Sequence, residues 1–180
     1  MRVILVVGPS GAGKDTLLRA ARRQFTNNST LGFARRYITR PPDVNEDNYY
    51  VDESGFELLE RSSFFLSSWR AHGNCYGIPH REIGEEYGRR TTVTSISRSA
   101  IVDFQNHCLN PITILITARP EVLEQRLTSR GRESAKAVRQ RLQRAQKPLN
   151  VCDYITFDNS AELHQSTEKF ISLLEQLHFH

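Results

Sequence analysis

Residues 3–7 (VILVV) form the first strong hydrophobic signal along the chain. A short, unbroken run rich in β-branched residues reads as a strand buried on both faces, as in a parallel sheet. Glycine-rich residues 8–13 follow, and residues 14–25 carry the spacing of a helix. Residues 27–32 are polar and turn-like, and residues 34–39 read as extended until Pro41 and Pro42 stop them. From 43 to 76 the pattern is irregular, with a weak helix at 56–61, which reads as an insertion beside the main sheet. A short helix is predicted at 81–87, a β-branched strand at 91–96 and a helix at 101–107. Residues 112–117 (ITILIT) are a second buried strand. Pro120 stands where a helix begins, and 121–129 continue it. Residues 130–134 interrupt the pattern, and 135–147 resume as a helix before Pro148. A short strand at 154–157 and a long amphipathic helix at 161–177 complete the chain. Strands alternating with helices give the α/β class with a parallel sheet.

Length and composition narrow this picture. A chain of 180 residues makes one domain with a substantial core. Hydrophobic residues at 38% and charged residues at 24% are those of a globular protein and exclude wholesale disorder. The net charge of +4 is too mild to argue for nucleic acid. Only Lys14, Lys136, Lys147 and Lys169 are lysines, so the other twenty of the 24 basic residues are arginines. The guanidinium fork grips phosphate or carboxylate through two bonds, which points to a phosphate-rich partner; surface solubility is the plainer explanation. Cys75, Cys108 and Cys152 are odd in number and widely spaced, so neither a disulfide framework nor a zinc site is expected. No apolar stretch approaches the ~20 residues of a membrane span, and the first run is too short for a signal-peptide core. A reducing cytoplasm is the expected compartment.

Gly8-Pro9-Ser10-Gly11-Ala12-Gly13-Lys14 fits GxxxxGK between a buried strand and a helix, the context that a phosphate loop requires. The glycines let successive N–H groups turn toward phosphate oxygens, and the helix adds its positive dipole end. Lys14 reaches the β- and γ-oxygens of ATP. The residue after Lys14, usually Ser or Thr, is Asp15, followed by Thr16. Asp15 either ligates Mg²⁺, with Thr16 or water as the substitute, or is a favourable acid in the first helical turn.

Several further segments carry a resemblance. GPSGAGK, Tyr37-Ile38-Thr39-Arg40-Pro41-Pro42, His72-Gly73-Asn74-Cys75-Tyr76-Gly77 and Arg130-Gly131-Arg132 together resemble guanylate kinase in order and spacing. The family's guanine-reading positions differ: a second arginine is Asp43, a glutamate is Ser67, and an Asp-x-Asp is Ser95-Ile96-Ser97. A single hydroxyl cannot replace two carboxylate oxygens in accepting from guanine. The chain is more similar to the ribose 1,5-bisphosphate phosphokinases of bacterial phosphonate catabolism. The similarity rests on Lys14-Asp15-Thr16, Arg36 to Arg40 (RYITR), Trp69-x-Ala71-x-Gly73 with Tyr76-Gly77, Ser97-Arg98, and RGRE at 130–133.

That resemblance implies a P-loop α/β three-layer sandwich of the guanylate-kinase type in one domain spanning 1–180. It also implies a small acceptor-binding insertion at about 40–80 and an arginine-rich lid at about 130–136. The implied reaction is ATP plus ribose 1,5-bisphosphate giving ADP plus 5-phosphoribosyl 1-diphosphate, with Mg²⁺. The implied partners are ATP and a small phosphorylated sugar, with neither nucleic acid nor membrane. Gly8, Pro9, Ser10, Gly11, Ala12, Gly13 and Lys14 would hold ATP phosphates, Asp15 or Thr16 the metal, and Asn159 would border the adenine. Arg36, Arg40, Trp69, His72, Tyr76, Ser97 and Arg98 would bind the acceptor; Trp69 reads equally as core. Lys14, Arg130, Arg132 and Arg141 would neutralise the moving phosphoryl group. Two alternatives stay open: a guanylate kinase with an altered base pocket, and a non-catalytic guanylate-kinase-like module that binds proteins. Such modules tend to lose the loop that is intact here.

Overall fold

The computed structural model describes residues 2–41, 47–71, 73–83, 91–108, 110–129, 142, 149, 151 and 153–179. The first apolar run becomes β1 (Arg2–Val7), and all but its first residue are buried. Helix α1 (Lys14–Gln24) follows the glycine loop. It is rich in Leu, Ala and Arg, places Asp15 in its first turn and Arg22 and Arg23 in its last, and buries Leu17 and Ala21. The chain returns through β2 (Leu31–Phe33), a strand in a segment whose polar start reads as a turn. Further on come β7 (Thr91–Ser95), α3 (Ile101–His107), β8 (Ile112–Thr117), α4 (Pro120–Ser129), β9 (Ile155–Asp158) and α5 (Leu163–Phe179).

The five core strands are parallel in the order β2-β7-β1-β8-β9. Strand β1 lies in the middle: Ile4 is opposite Val93 on one side and Ile112 on the other. Its side chains alternate between two cores, as the two-residue period of a strand requires. Ile4 and Val6 pack with Leu17 and Ala21 of α1 and with Phe170 and Leu174 of α5. Val3, Leu5 and Val7 pack with Trp69, Ile78, Ile101 and Phe104. A buried strand between layers ends at the phosphate loop, so the loop hangs from the most constrained part of the sheet. No helix among the described residues is long and apolar enough to cross a membrane.

The segment that reads as irregular is in fact a second sheet. Strands β3 (Tyr37–Ile38), β4 (Tyr49–Tyr50), β5 (Phe65–Ala71) and β6 (Asn74–Pro79) pair in the order β4-β3-β6-β5. The β5–β6 hairpin turns at Gly73, whose φ of +76° favours glycine. Gly77 is needed for packing: a Cβ there would lie 2.6 Å from the Phe65 ring. Helix α2 (Glu53–Arg61) starts three residues before the expected 56 because the Asp52 side chain caps it, accepting the Gly55 N–H at 2.7 Å. That hydrogen bond holds the Asp52 carboxyl below its usual range. Of the helix expected at 81–87, the described part is a 3₁₀ turn at His80–Ile83. The helix expected at 135–147 and the lid at 130–136 lie outside the described residues, apart from Leu142.

Candidate active site

The loop between β1 and α1 is a cradle formed by backbone. Gly8, Gly11 and Gly13 have φ of +153°, +84° and +86°. Gly8 and Gly13 leave no room for a side chain. A Cβ on Gly8 would meet the Ile116 carbonyl oxygen at 2.4 Å, and one on Gly13 would meet the Asn159 amide nitrogen at 2.4 Å. Gly13 caps α1 with no side-chain hydrogen bond, so no serine or aspartate side chain closes the first turn of the helix. Lys14 folds back over this concavity, donating from Nζ to the carbonyls of Gly8 (2.8 Å) and Pro9 (2.9 Å). The open helix end and the ammonium suit a polyphosphate.

Asn159 supports the loop from below. The family resemblance puts it at the border of the adenine; in the structure it is only 2% exposed, and its side-chain nitrogen donates to the Ala12 carbonyl at 2.6 Å. Its backbone N–H donates to the Thr117 carbonyl at 2.8 Å, so the brace is fixed to the end of β8. Removing the amide should leave the Ala12 carbonyl unsatisfied, a cost of about 1–3 kcal/mol. Asn159→Ala is therefore expected to lower the melting temperature by several degrees and to weaken ATP binding. Thermal unfolding and calorimetric titration with ATP check both; an unchanged ATP affinity would remove the brace from the account.

Arg36 ties the two sheets together at the loop. Its side chain is 14% exposed. It donates from Nη2 to Asp15 Oδ1 at 3.2 Å, from Nε to Asn48 at 3.1 Å and from Nη1 to the Ser95 carbonyl at 3.5 Å. It also lies over the Tyr76 ring, 6.0 Å from the centroid. Thus Asp15, in the first turn of α1, and Arg36, before β3, are direct partners, and Thr16 follows Asp15 in the same turn.

The other expected acceptor residues separate into groups. Tyr76 is half-buried and stacks flat on Trp69, with centroids 5.6 Å apart and planes at 3°. Trp69 itself belongs to the core, at 8% exposure, so it backs Tyr76 rather than lining an acceptor surface. Arg40 follows β3 and donates to the Pro41 carbonyl at 3.3 Å. Ser97 caps the 3₁₀ turn at Arg98–Ala100, accepting the Ser99 N–H at 3.4 Å. Burial pushes the Arg98 guanidinium below the usual arginine range. Ser67, at the position of the guanine-reading glutamate, is 3% exposed and donates to Asp103 at 2.6 Å. His72, Arg130, Arg132 and Arg141 lie outside the described residues.

Two residues of the site are not singled out by any motif. Arg126 of α4 brings a guanidinium nitrogen to 3.7 Å from the Cβ position of Gly13, beside the loop. Its one sequence signal is the interval of four residues, one helical turn, before Arg130. Asn48, which orients Arg36, has no signal at all.

Comparison with known proteins shows the family and the fold. The family model described as guanylate kinase matches residues 1–177. The chain is 41% identical over 144 residues to a ribose 1,5-bisphosphate phosphokinase PhnN of Rhodopseudomonas palustris, spanning 80% of this chain and 74% of that one. It is 40% identical over 161 residues to the protein of the same name in Acidiphilium cryptum, with coverage of 89% and 86%. A guanylate kinase crystal structure from Anaplasma phagocytophilum superimposes with a TM-score of 0.64 at 17% identity, covering 99% of this chain and 87% of that one, which shows the shared fold. The chain belongs to the guanylate kinase family of folds and, within it, to the PhnN family of ribose 1,5-bisphosphate phosphokinases.

Proposed function

We propose that this protein is an ATP-dependent phosphotransferase that converts ribose 1,5-bisphosphate to 5-phosphoribosyl 1-diphosphate, serving phosphonate catabolism in a reducing cytoplasm. The observation that carries the reading is the chemistry on the acceptor side of the loop. A cation, Arg36, stands there against Asp15, and the residue that would read guanine is a buried serine spent on Asp103. A sugar bisphosphate has no base to read; it presents phosphates and hydroxyls, which cations and hydroxyl groups recognise.

The nucleophile is an oxygen of the 1-phosphate. A phosphate monoester loses its second proton near pH 6 and is mostly dianionic at neutral pH, so no strong general base is needed. That oxygen attacks the γ-phosphorus of ATP, the bond to the bridging oxygen breaks, and ADP leaves with the electron pair. The difficulty is holding two anions in line with water excluded. Backbone N–H groups of the glycine loop fix the donor phosphates, apart from Pro9, which has none, and Ala12, whose N–H donates to the Pro9 carbonyl at 3.3 Å. Lys14 leaves its carbonyl partners and follows the charge to the β,γ-bridge. Arg36 and Arg40 hold the acceptor phosphate, while Tyr76, Ser97 and Arg98 border the acceptor. Arg130, Arg132 and Arg141 are assigned to the charge on the transferring group.

Asp15 or Thr16 would hold Mg²⁺. Among the described residues no group of three or more metal-ligating side chains occurs, and a nucleotide-bound Mg²⁺ needs only one or two protein oxygens. One half-exposed carboxylate beside the loop fits that donor set. When bound, the ion neutralises β- and γ-phosphate charge.

An ADP-release assay tests the reading. Ribose 1,5-bisphosphate is expected to be turned over with at least 10²-fold higher kcat/KM than GMP. Efficient turnover of GMP, with none of the sugar bisphosphate, would replace this reading with that of a guanylate kinase.

A further inference from the structure

The Arg36 guanidinium is held from several sides, and among the described residues a single one of its partners is charged. Its Nε donates to the Asn48 side chain, its Nη1 to the Ser95 carbonyl, and its flat face lies over the Tyr76 ring. Its Nη2 donates to Asp15 Oδ1 at 3.2 Å, the one ion pair that either residue makes among the described residues. The Arg36 side chain is 14% exposed and that of Asp15 37%. Little water surrounds the guanidinium, so the carboxylate cancels much of its charge. A phosphate that came to Arg36 in this state would share the fork with a second anion, and like charges on one site repel.

The same carboxylate is an oxygen donor directly after Lys14, at the edge of the phosphate loop. Carboxylate oxygens are the ligands that a hard divalent cation prefers. A cation that takes one oxygen of Asp15, or both, neutralises the carboxylate, and the charge of Arg36 is unmasked either way. The other anchors of Arg36 are neutral: an amide, a backbone carbonyl and a phenol ring. They keep the guanidinium in place without cancelling it.

We propose that Asp15 is a positioning residue that gates Arg36. In the free protein it masks the guanidinium; on engaging the metal that accompanies ATP it releases that charge to the reacting phosphate of the acceptor. The edge of the fork set free, at Nη2, faces the first turn of α1, the side on which the donor phosphates lie. The acceptor phosphate is thus drawn in where the donor already sits. The coupling is reciprocal: an acceptor that takes Arg36 frees Asp15 for the metal. The inference rests on the reading above, in which Arg36 holds the acceptor phosphate.

The test is calorimetric titration of the full-length protein with ribose 1,5-bisphosphate, alone and with a saturating non-hydrolysable ATP analogue, with and without Mg²⁺. The variants are Asp15→Asn and Asp15→Ser; the serine keeps an oxygen for the metal and removes the partner of Arg36. Thermal unfolding confirms that both fold. Coupling between two sites is typically worth about 5–150-fold in affinity. In the wild type, the analogue with Mg²⁺ is expected to tighten acceptor binding at least fivefold, and the analogue without Mg²⁺ is expected not to tighten it. Both variants should bind the acceptor alone at least threefold more tightly than the wild type, and the analogue with Mg²⁺ should change that affinity less than twofold. Weaker binding of the acceptor alone in the variants would overturn the proposal, because a residue that merely braces Arg36 gives that sign. Variants that keep the wild-type response would overturn it too, as would equal tightening without Mg²⁺ or a wild type that binds the acceptor equally well with and without nucleotide; in these cases the activity stands. If the wild type binds no ribose 1,5-bisphosphate under any of these conditions, the sugar-bisphosphate reading falls and the gate with it.

Discussion

Replacing Lys14 by alanine is expected to lower kcat roughly 10²–10³-fold, the usual cost of removing one donor aimed at developing transition-state charge. In the structure the ammonium rests on two backbone carbonyls of its own loop, Gly8 and Pro9, at hydrogen-bond distance. It is thus placed over the cradle before any nucleotide arrives, and exchanging carbonyl oxygens for phosphate oxygens costs little reorganisation. The side chain is only half-buried and contributes nothing to either core, so the variant should fold. The melting temperature is expected within about 2 °C of wild type, and the KM for the sugar bisphosphate within a few-fold. Steady-state kinetics with thermal unfolding as a control makes the comparison. A drop in kcat below tenfold would mean that Lys14 binds ground-state nucleotide without serving the transfer.

Gly8→Ala should act by a different physical route and harm both folding and binding. The new methyl carbon would lie 2.4 Å from the Ile116 carbonyl oxygen and 3.3 Å from the carbonyl carbon. Ile116 belongs to β8, which is held between β1 and β9, so that oxygen cannot retreat without breaking strand register. The φ of +153° adds strain for any residue with a side chain. Overpacking and backbone strain together cost about 2–5 kcal/mol. Urea denaturation should show a lower midpoint, and ATP titration should show binding weakened at least tenfold, because the amides that follow Gly8 lose their inward turn. Wild-type stability and affinity in this variant would show that the loop adopts another conformation in solution.

The parts of the fold that were legible in the sequence were those buried on both faces. Residues 3–7 are a continuous apolar run, and 112–117 are apolar and β-branched with only Thr113 and Thr117 between, because parallel strands covered on both faces have no polar side. The second sheet was hidden for the opposite reason. Its strands β3 and β4 are two residues each, and β5 mixes Ser67, Ser68 and Arg70 with Trp69, so no alternation survives. Strand β2 was concealed by the polar residues that precede it and by its own Gly32.

At the site, the glycine loop was legible because its chemistry is local: the spacing of glycines dictates the cradle. Arg36 was legible only as part of a family segment. Its pairing with Asp15 joins residues twenty-one positions apart and depends on how the second sheet meets the first. Trp69 and Asn159 show the limit. A tryptophan inside a motif and an asparagine after the last strand have the right residue types for ligand contact, yet burial assigns one to the core and the other to a brace under Ala12.

Conversion of the anomeric phosphate to a diphosphate can be followed by phosphorus NMR of the purified protein with ATP, Mg²⁺ and ribose 1,5-bisphosphate. The 1-phosphate signal is expected to disappear as a coupled diphosphate pair grows in, with one ADP formed per sugar and the 5-phosphate signal preserved. A sugar spectrum that stays unchanged while GMP in a parallel reaction becomes GDP would contradict it.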